Sequence, residues 1–379
     1  MTDSPDRCYL LAHVGPQDRE HDIEEHLKEL AELTRACGME AVGQQHLKRA
    51  KVDPKTFFGK GQLEAAAAQA RRLGATLLIC DQELSGSQVR NIEKSTGMEC
   101  LDRTGLILTI FELRAQTREA KAQVELARFE YELPRLKGAW THLERQGGGV
   151  GLRGGPGETQ IEVDRRMTRL RISQLKKELV HLEKVRETQR QGRAPGIPRV
   201  CLVGYTNAGK TSILKALTGE GEPRDMLFAT LDTTTRKAWL GHDAETGAPR
   251  HVLVSDTVGF IRKLPHQLVA AFRSTLGEVR TAEALLVVAD AAHPDLEEHL
   301  KVVGETLAEI GCADLPRLLI LNQIDRLTRP QRLDLKRIHP SAAFTCALSG
   351  DGIDDIRGWL MELIPGPPRP RELEDWEKG

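Results

Sequence analysis

Gly204-Tyr205-Thr206-Asn207-Ala208-Gly209-Lys210-Thr211 fits the pattern G-x-x-x-x-G-K-[ST], and its flanks give the pattern meaning. Ahead of it, Val200-Cys201-Leu202-Val203 reads as a short buried strand. Behind it, Ser212–Leu217 has helical spacing and ends at Gly219. A strand feeding a glycine-rich turn at a helix N-terminus makes a phosphate cradle. Successive backbone N–H groups point inward, and the helix dipole favours the anion. Lys210 is placed to reach β- and γ-phosphates, and the Thr211 hydroxyl to take a position on Mg²⁺.

Working outward, strands and helices alternate from Arg199 to Ile364. The spacing predicts strands at His251–Ser255, Ala284–Ala289, Arg317–Leu321 and Ala343–Cys346. Helices are expected around Gln267–Val279, Asp295–Ile310 and Ile353–Leu363. That is a doubly wound sheet whose strand-end loops gather around one ligand. Four such loops follow the cradle in the order a guanine-nucleotide site needs. Asp256-Thr257-Val258-Gly259 supplies an aspartate for Mg²⁺ through water and the Gly259 N–H for the γ-phosphate. Asn322-Gln323-Ile324-Asp325 places the Asp325 carboxylate to accept from N1–H and N2–H₂ of guanine, a pair that adenine does not offer. Thr345-Cys346-Ala347, with Leu348 beside it, offers backbone N–H groups to guanine O6. Phe228-Ala229-Thr230-Leu231-Asp232, continuing to Arg236, is a hydroxyl-rich switch loop whose Thr230 closes over γ-phosphate and metal. A lone aspartate after a strand is ordinarily a cap. Five loops in register weigh against that reading. Lys210, Thr230 and Gly259 are the expected catalytic set, and Thr211 and Thr230 the expected metal ligands.

Residues 1 to about 105 also alternate. Strands are expected at Cys8–Val14, Thr76–Cys80 and Met98–Leu101. Helices are expected at Glu20–Cys37, Gln62–Leu73 and Ser85–Ser95, with Ser85 as a cap. This pattern argues a small parallel α/β domain. Gly59-Lys60-Gly61 is a weak anion signal and reads better as glycine turn geometry at a helix start.

From Leu106 to Arg190 the pattern is helical and charged. Ala115, Ala122, Leu126, Phe129 and Leu133 mark one apolar face; Ile172, Leu175, Leu179 and Leu182 mark another at coiled-coil-like spacing. Between them, Gln146–Gly157 carries seven glycines, including Gly148, Gly149, Gly154 and Gly155, around Arg153. Two long helices with a glycine-rich tip predict a projecting antiparallel hairpin. A flexible linker is the plainer reading of the tip. Basic helices on either side favour a finger that faces nucleic acid. Between Arg114 and Arg199 there are 19 Lys and Arg against 11 Asp and Glu, within a chain of formal net charge -1. The flanks are therefore net acidic, and the basic module points to a polyanionic partner. Gln191–Pro198, rich in proline and glycine, reads as a hinge.

The chain has 379 residues, enough for two or three domains. No apolar run reaches the length of a membrane span, and the first residues, MTDSPDRCYL, lack an apolar signal core. Seven scattered cysteines without a C-x-x-C pair suit reduced, mostly buried thiols in a cytoplasmic protein.

More specific words lie outside the nucleotide loops: Leu101-Asp-Arg-Thr-Gly-Leu-Ile-Leu108, Gln123-Val-Glu-Leu-Ala127, Leu133-Pro-Arg-Leu136, Trp140-Thr-His-Leu-Glu-Arg-Gln146 and Gly155-Pro-Gly-Glu-Thr-Gln160. By these the chain, from Gly59 to Ile364, resembles the HflX family of ribosome-associated GTPases. The resemblance implies GTP and GDP binding, Mg²⁺, hydrolysis of GTP to GDP and phosphate, and docking on the large ribosomal subunit. It implies splitting of stalled or heat-stressed ribosomes, with the hairpin tip reaching ribosomal RNA. A large-subunit assembly or storage factor using GTP as a timer predicts the same sequence. The expected organisation is an α/β domain at 1–108, a basic hairpin at 109–196, a P-loop G domain at 197–365 and a tail at 366–379, in a monomer. Gln323 departs from the family's usual lysine, Cys346 from serine and Thr233 from proline, and the C-terminal domain of some members is absent. Phe260 follows Gly259 where many GTPases carry a glutamine that orients water, so unaided hydrolysis is expected to be slow and ribosome-stimulated.

Overall fold

Strand–helix alternation at the N-terminal end becomes a four-stranded parallel sheet. The structure, a computed structural model, describes residues 6–16, 18, 20–136, 160–192, 197–221, 223, 226–228, 230–263 and 277–364. These fall into two units, one ending at Lys184 and the other beginning at Val185. In the first, the order is β1 (Arg7–Val14), α1 (Glu20–Ala36), β2 (Glu40–Lys48), α2 (Lys60–Arg72), β3 (Leu77–Cys80), α3 (Gly86–Thr96), β4 (Glu99–Asp102) and α4 (Arg103–Arg114). The sheet runs β2-β1-β3-β4, with every pair parallel. Ile23, Leu27, Leu30 and Leu33 are all buried, so the apolar stripe of α1 faces the sheet as its spacing predicts. Ser85 caps α3 with a reciprocal box: its hydroxyl accepts the Gln88 N–H, and Gln88 accepts the Ser85 N–H at 2.8 Å.

Strand β2 has no clear signal in the sequence, because it is a largely exposed edge strand without apolar alternation. Its Gly43 lets the Tyr9 ring lie against the backbone; a Cβ there would be 2.7 Å from Tyr9 Cε2. Helix α4 begins before the expected Leu106, because the Asp102 carboxylate accepts the Gly105 N–H at 2.8 Å and starts the helix there. It runs unbroken across residue 108, where a domain boundary was expected, and Leu106, Ile107, Leu108, Ile110 and Phe111 are buried. Asp102 also accepts from Leu84 N–H at 3.0 Å, Tyr131 Oη at 2.6 Å and Arg135 Nη2 at 2.8 Å. The words Leu101–Leu108 and Leu133–Leu136 therefore meet in one buried network. Beside it, the buried Arg103 pairs with Asp81 and Glu29.

Helix α5 (Arg118–Glu132) is capped by the Thr117 hydroxyl, which accepts the Ala120 N–H at 3.1 Å. It packs on α6 (Gln160–Gly192) through the two faces expected to meet. Ala122, Leu126 and Leu175 are buried, with Phe129, Ile172 and Leu179 around them. Each buried leucine contributes roughly 1.5–3 kcal/mol. Arg171 forks onto Glu125 at 2.8 and 2.9 Å, and Lys176 reaches Glu130 at 2.8 Å. Helix α6 continues through Gln191 and Gly192, into the stretch expected as the hinge. The glycine tip, including Gly148, Gly149, Arg153, Gly154 and Gly155, lies outside the described residues.

The second unit contains β5 (Arg199–Gly204), α7 (Lys210–Thr218), β6 (Thr234–His242), β7 (Pro249–Asp256), α8 (Gly277–Arg280), β8 (Ala284–Asp290), α9 (Leu296–Glu309), β9 (Arg317–Asn322), α10 (Arg329–Ile338), β10 (Ala343–Phe344) and α11 (Ile353–Leu363). Sheet order is β10-β9-β8-β5-β7-β6. Five strands are parallel, and β6 closes one edge antiparallel to β7. Val200, Leu202, Val254, Leu286 and Val288 pack under α7 and α11 residues Ile213, Leu217, Ile356 and Leu360. Strand β6 takes in Thr234–Arg236, the end of the expected switch loop. Residues 267–276 of the helix expected around Gln267–Val279 lie outside the described residues, and α8 covers Gly277–Arg280.

Candidate functional site

At the end of β5, Gly204 has φ 153°, and a Cβ there would stand 2.1 Å from the Val288 carbonyl oxygen. No side chain fits. Asn207 and Gly209 take left-handed φ values of 60° and 92°, turning the loop so that α7 opens with N–H groups no side chain caps. The loop borders a cavity of about 340 Å³, within the range of small-molecule sites. Of the residues expected there, Thr206, Asn207, Gly209, Lys210, Thr211, Phe228, Thr230, Thr257, Gly259, Asn322, Gln323, Asp325, Cys346, Ala347 and Leu348 line it. Gly204, Tyr205, Ala208, Leu231, Asp232, Asp256, Val258 and Ile324 do not, and Ala229 lies outside the described residues. Ser212, Pro223, Met226 and Arg326 line it without having been foreseen. Pro223 and Met226 come from the loop after α7, where nothing in the local pattern marks a site.

Lys210 is buried, and its Nζ donates to the carbonyls of Gly204 at 3.2 Å and Tyr205 at 2.9 Å. Burial pushes its pKa down to about 8, against the pull of the Asp256 charge. Burial likewise raises Asp256 above its ordinary value, while Lys210 and the hydroxyls on it work the other way. Thr211 Oγ1 and Thr230 Oγ1 both donate to Asp256 Oδ2, at 2.6 and 3.1 Å, and lie 3.1 Å from each other. Asp256 Oδ1 is buried without a hydrogen-bond partner. This knot of hard oxygens, one of them an orphan, fits a small divalent cation such as Mg²⁺.

Gly259 closes the phosphate side. A Cβ on it would come within 2.8 Å of Thr206 Cα and 3.0 Å of Lys210 Nζ. On the base side, Asn322 spends its amide on the protein. Its Nδ2 donates to the Ala208 carbonyl at 3.2 Å, and its Oδ1 accepts from Ala347 N–H at 3.1 Å and Thr345 Oγ1 at 3.3 Å. It thus joins phosphate loop to base loop. The Cys346 N–H donates to Asp351 O at 3.0 Å, so the Cys346 and Ala347 N–H groups expected at guanine O6 are engaged within the protein. Gln323 takes φ 64° and accepts from Arg326, directing Asp325 to the cavity rim.

Three family models tile the chain: one described as GTP-binding GTPase N-terminal over residues 24–112, one as GTP-binding GTPase Middle Region over 114–193, and one as 50S ribosome-binding GTPase over 199–323. The GTPase HflX of Magnetococcus marinus is 44% identical over 364 residues, 95% of this chain and 83% of that protein. That of Escherichia coli K12 is 42% identical over 96% of this chain and 84% of its own. This chain belongs to the HflX family of GTPases. A solved structure described as SsGBP with GDP is 27% identical, has a TM-score of 0.53, and covers 95% of this chain and 98% of its own.

HflX membership brings GTP binding and hydrolysis, and it accounts for the chain's shape in sequence as well as its loops. Of the words expected to be specific to HflX proteins, Leu101–Leu108 lies in β4 and α4, Gln123–Ala127 within α5 and Leu133–Leu136 just after it, none of them lining the nucleotide cavity. Trp140–Gln146 and most of Gly155–Gln160 lie outside the described residues. Among the described residues no helix is long and apolar enough to cross a membrane.

Proposed function

We propose that this HflX protein binds GTP and GDP in the cavity at the ends of β5, β7 and β9. With GTP bound it docks on the large ribosomal subunit in the cytoplasm and separates stalled or stressed ribosomes into subunits. The observation that carries the reading is the occurrence in one chain of this cavity and the basic stretch Arg114–Arg199, which includes α5 and α6. The printed description of the matched G-domain family, 50S ribosome-binding GTPase, supports the partner. Lys210 exchanges its loop carbonyls for phosphate oxygens. Thr211, Thr230 and, through water, Asp256 would hold Mg²⁺, which supplies positive charge beside the β- and γ-phosphates. The Gly259 N–H reads the γ-phosphate, and Asp325 reads guanine. Phe260 is buried and not part of the cavity lining, so no side chain at that position orients water. Turnover is slow until the ribosome completes the site.

Sedimentation of intact ribosomes with the protein and a non-hydrolysable GTP analogue tests this. Free subunits should accumulate with the analogue and not with GDP. Ribosomes that stay intact while the protein co-sediments with large subunits would instead support an assembly or storage role.

A further inference from the structure

Tyr205 is the first variable residue of the phosphate loop, yet its side chain turns away from the nucleotide cavity. The ring is buried and lies parallel to the His299 imidazole of α9, with centroids 3.7 Å apart and planes 6° apart. His293 backs that stack at 4.2 Å. Burial, with His293 and Arg262 nearby, holds His299 neutral, its pKa pushed down to about 3.

The Tyr205 hydroxyl accepts the backbone N–H of Arg262 at 2.8 Å. Arg262 stands three residues after Gly259. Between them, the Phe260 N–H donates to Gly204 O at 3.0 Å, and the Thr206 N–H donates to Phe260 O at 2.7 Å. The segment leaving Gly259 is therefore zipped along the phosphate loop and ends on the tyrosine oxygen. Arg262 also lies 3.7 Å from Asp295 at the start of α9, so the segment meets the wall that holds the ring.

We propose that Tyr205 is a positioning residue for GTP recognition: its hydroxyl latches the 260–262 segment, and the His299–His293 stack fixes where that latch lies. The latch sets the position of the Gly259 N–H relative to the loop that holds the β-phosphate. GDP does not reach Gly259; GTP does. Tyr205 thus contributes to the discrimination between the two, in a chain whose residue after Gly259 offers no hydrogen bond. This rests on the nucleotide reading of the cavity.

The test compares dissociation constants of fluorescent GDP and of a non-hydrolysable GTP analogue for wild type and Tyr205→Phe, which keeps the ring and its stack. Loss of one hydrogen bond should weaken the GTP analogue about three- to tenfold. GDP, held by loop N–H groups that the substitution leaves in place, should shift less. An unchanged ratio of the two constants, or an equal loss of both, overturns the latch. His299→Phe, which restores an aromatic wall, should keep the wild-type ratio; its collapse would overturn the role given to the stack. Failure of the wild-type protein to bind either nucleotide would instead sink the nucleotide reading itself.

Discussion

Thr211 Oγ1 donates to Asp256 Oδ2 at 2.6 Å, tying the first turn of α7 to the end of β7 beside the cavity. The two side chains satisfy one another, and Asp256 Oδ1 is left over.

Asp256→Asn removes the charge while keeping the shape. Magnesium titrations of GTP-analogue binding should then need at least about tenfold more metal, since a charged hydrogen-bonding partner is worth roughly 1.5–3 kcal/mol. An unaltered metal requirement would place the ion elsewhere.

Asp325→Asn replaces an acceptor of guanine N–H groups by a donor. Fluorescent GDP titration should show affinity reduced about tenfold or more. Wild-type affinity would show that Asp325 does not read the base, despite its place on the cavity rim.

Lys210 carries a proton less firmly than an ordinary lysine, burial pushing its pKa down to about 8. Phosphates would raise that value, so binding takes up a proton once the pH exceeds about 8. GDP affinity should fall as pH rises from there, by up to about tenfold per unit. Calorimetry in buffers of different ionisation enthalpy at pH about 8.5 would detect the uptake; zero proton exchange contradicts the assignment.

His299 reverses the direction in stability. Its folded value near 3 lies below the ordinary 6.5, so the unfolded chain binds more protons between those limits. The resulting contribution is complete above 6.5 and is lost as pH falls toward 3. Arg262 and His293 face the ring and strengthen the effect, and Tyr205 offers it no counter-charge. His299→Phe cannot take a proton, so its melting temperature should decline less on acidification than that of wild type. Parallel declines would mean that acid acts through other groups.

Much of this architecture is legible in residue order. The cradle at Gly204–Thr211, its flanking strand and helix, and the central strands all announce themselves through continuous apolar runs. Edge elements do not. Strands β2 and β6 face water for much of their length and lack a strong alternating pattern. Helix α10 was missed because none of its residues is buried: Leu333 and Ile338 are exposed, and Pro330 reads as a breaker although it fits the first turn. Within the site, residue types pointed to the right loops but not to every task. Asn322 binds two loops together, and Tyr205 looks outward. Both roles arise from contacts across strands, which spacing along one strand does not encode.

The four donors on Asp102 have a mechanical meaning. Strand β4, the approach to α3, the start of α4 and the far end of α5 converge on a single buried carboxylate. Pulling that end of α5 away would strand a desolvated charge, at a cost of about 3–5 kcal/mol. The C-terminal end of α5 is therefore a fixture on the N-terminal sheet rather than a pivot.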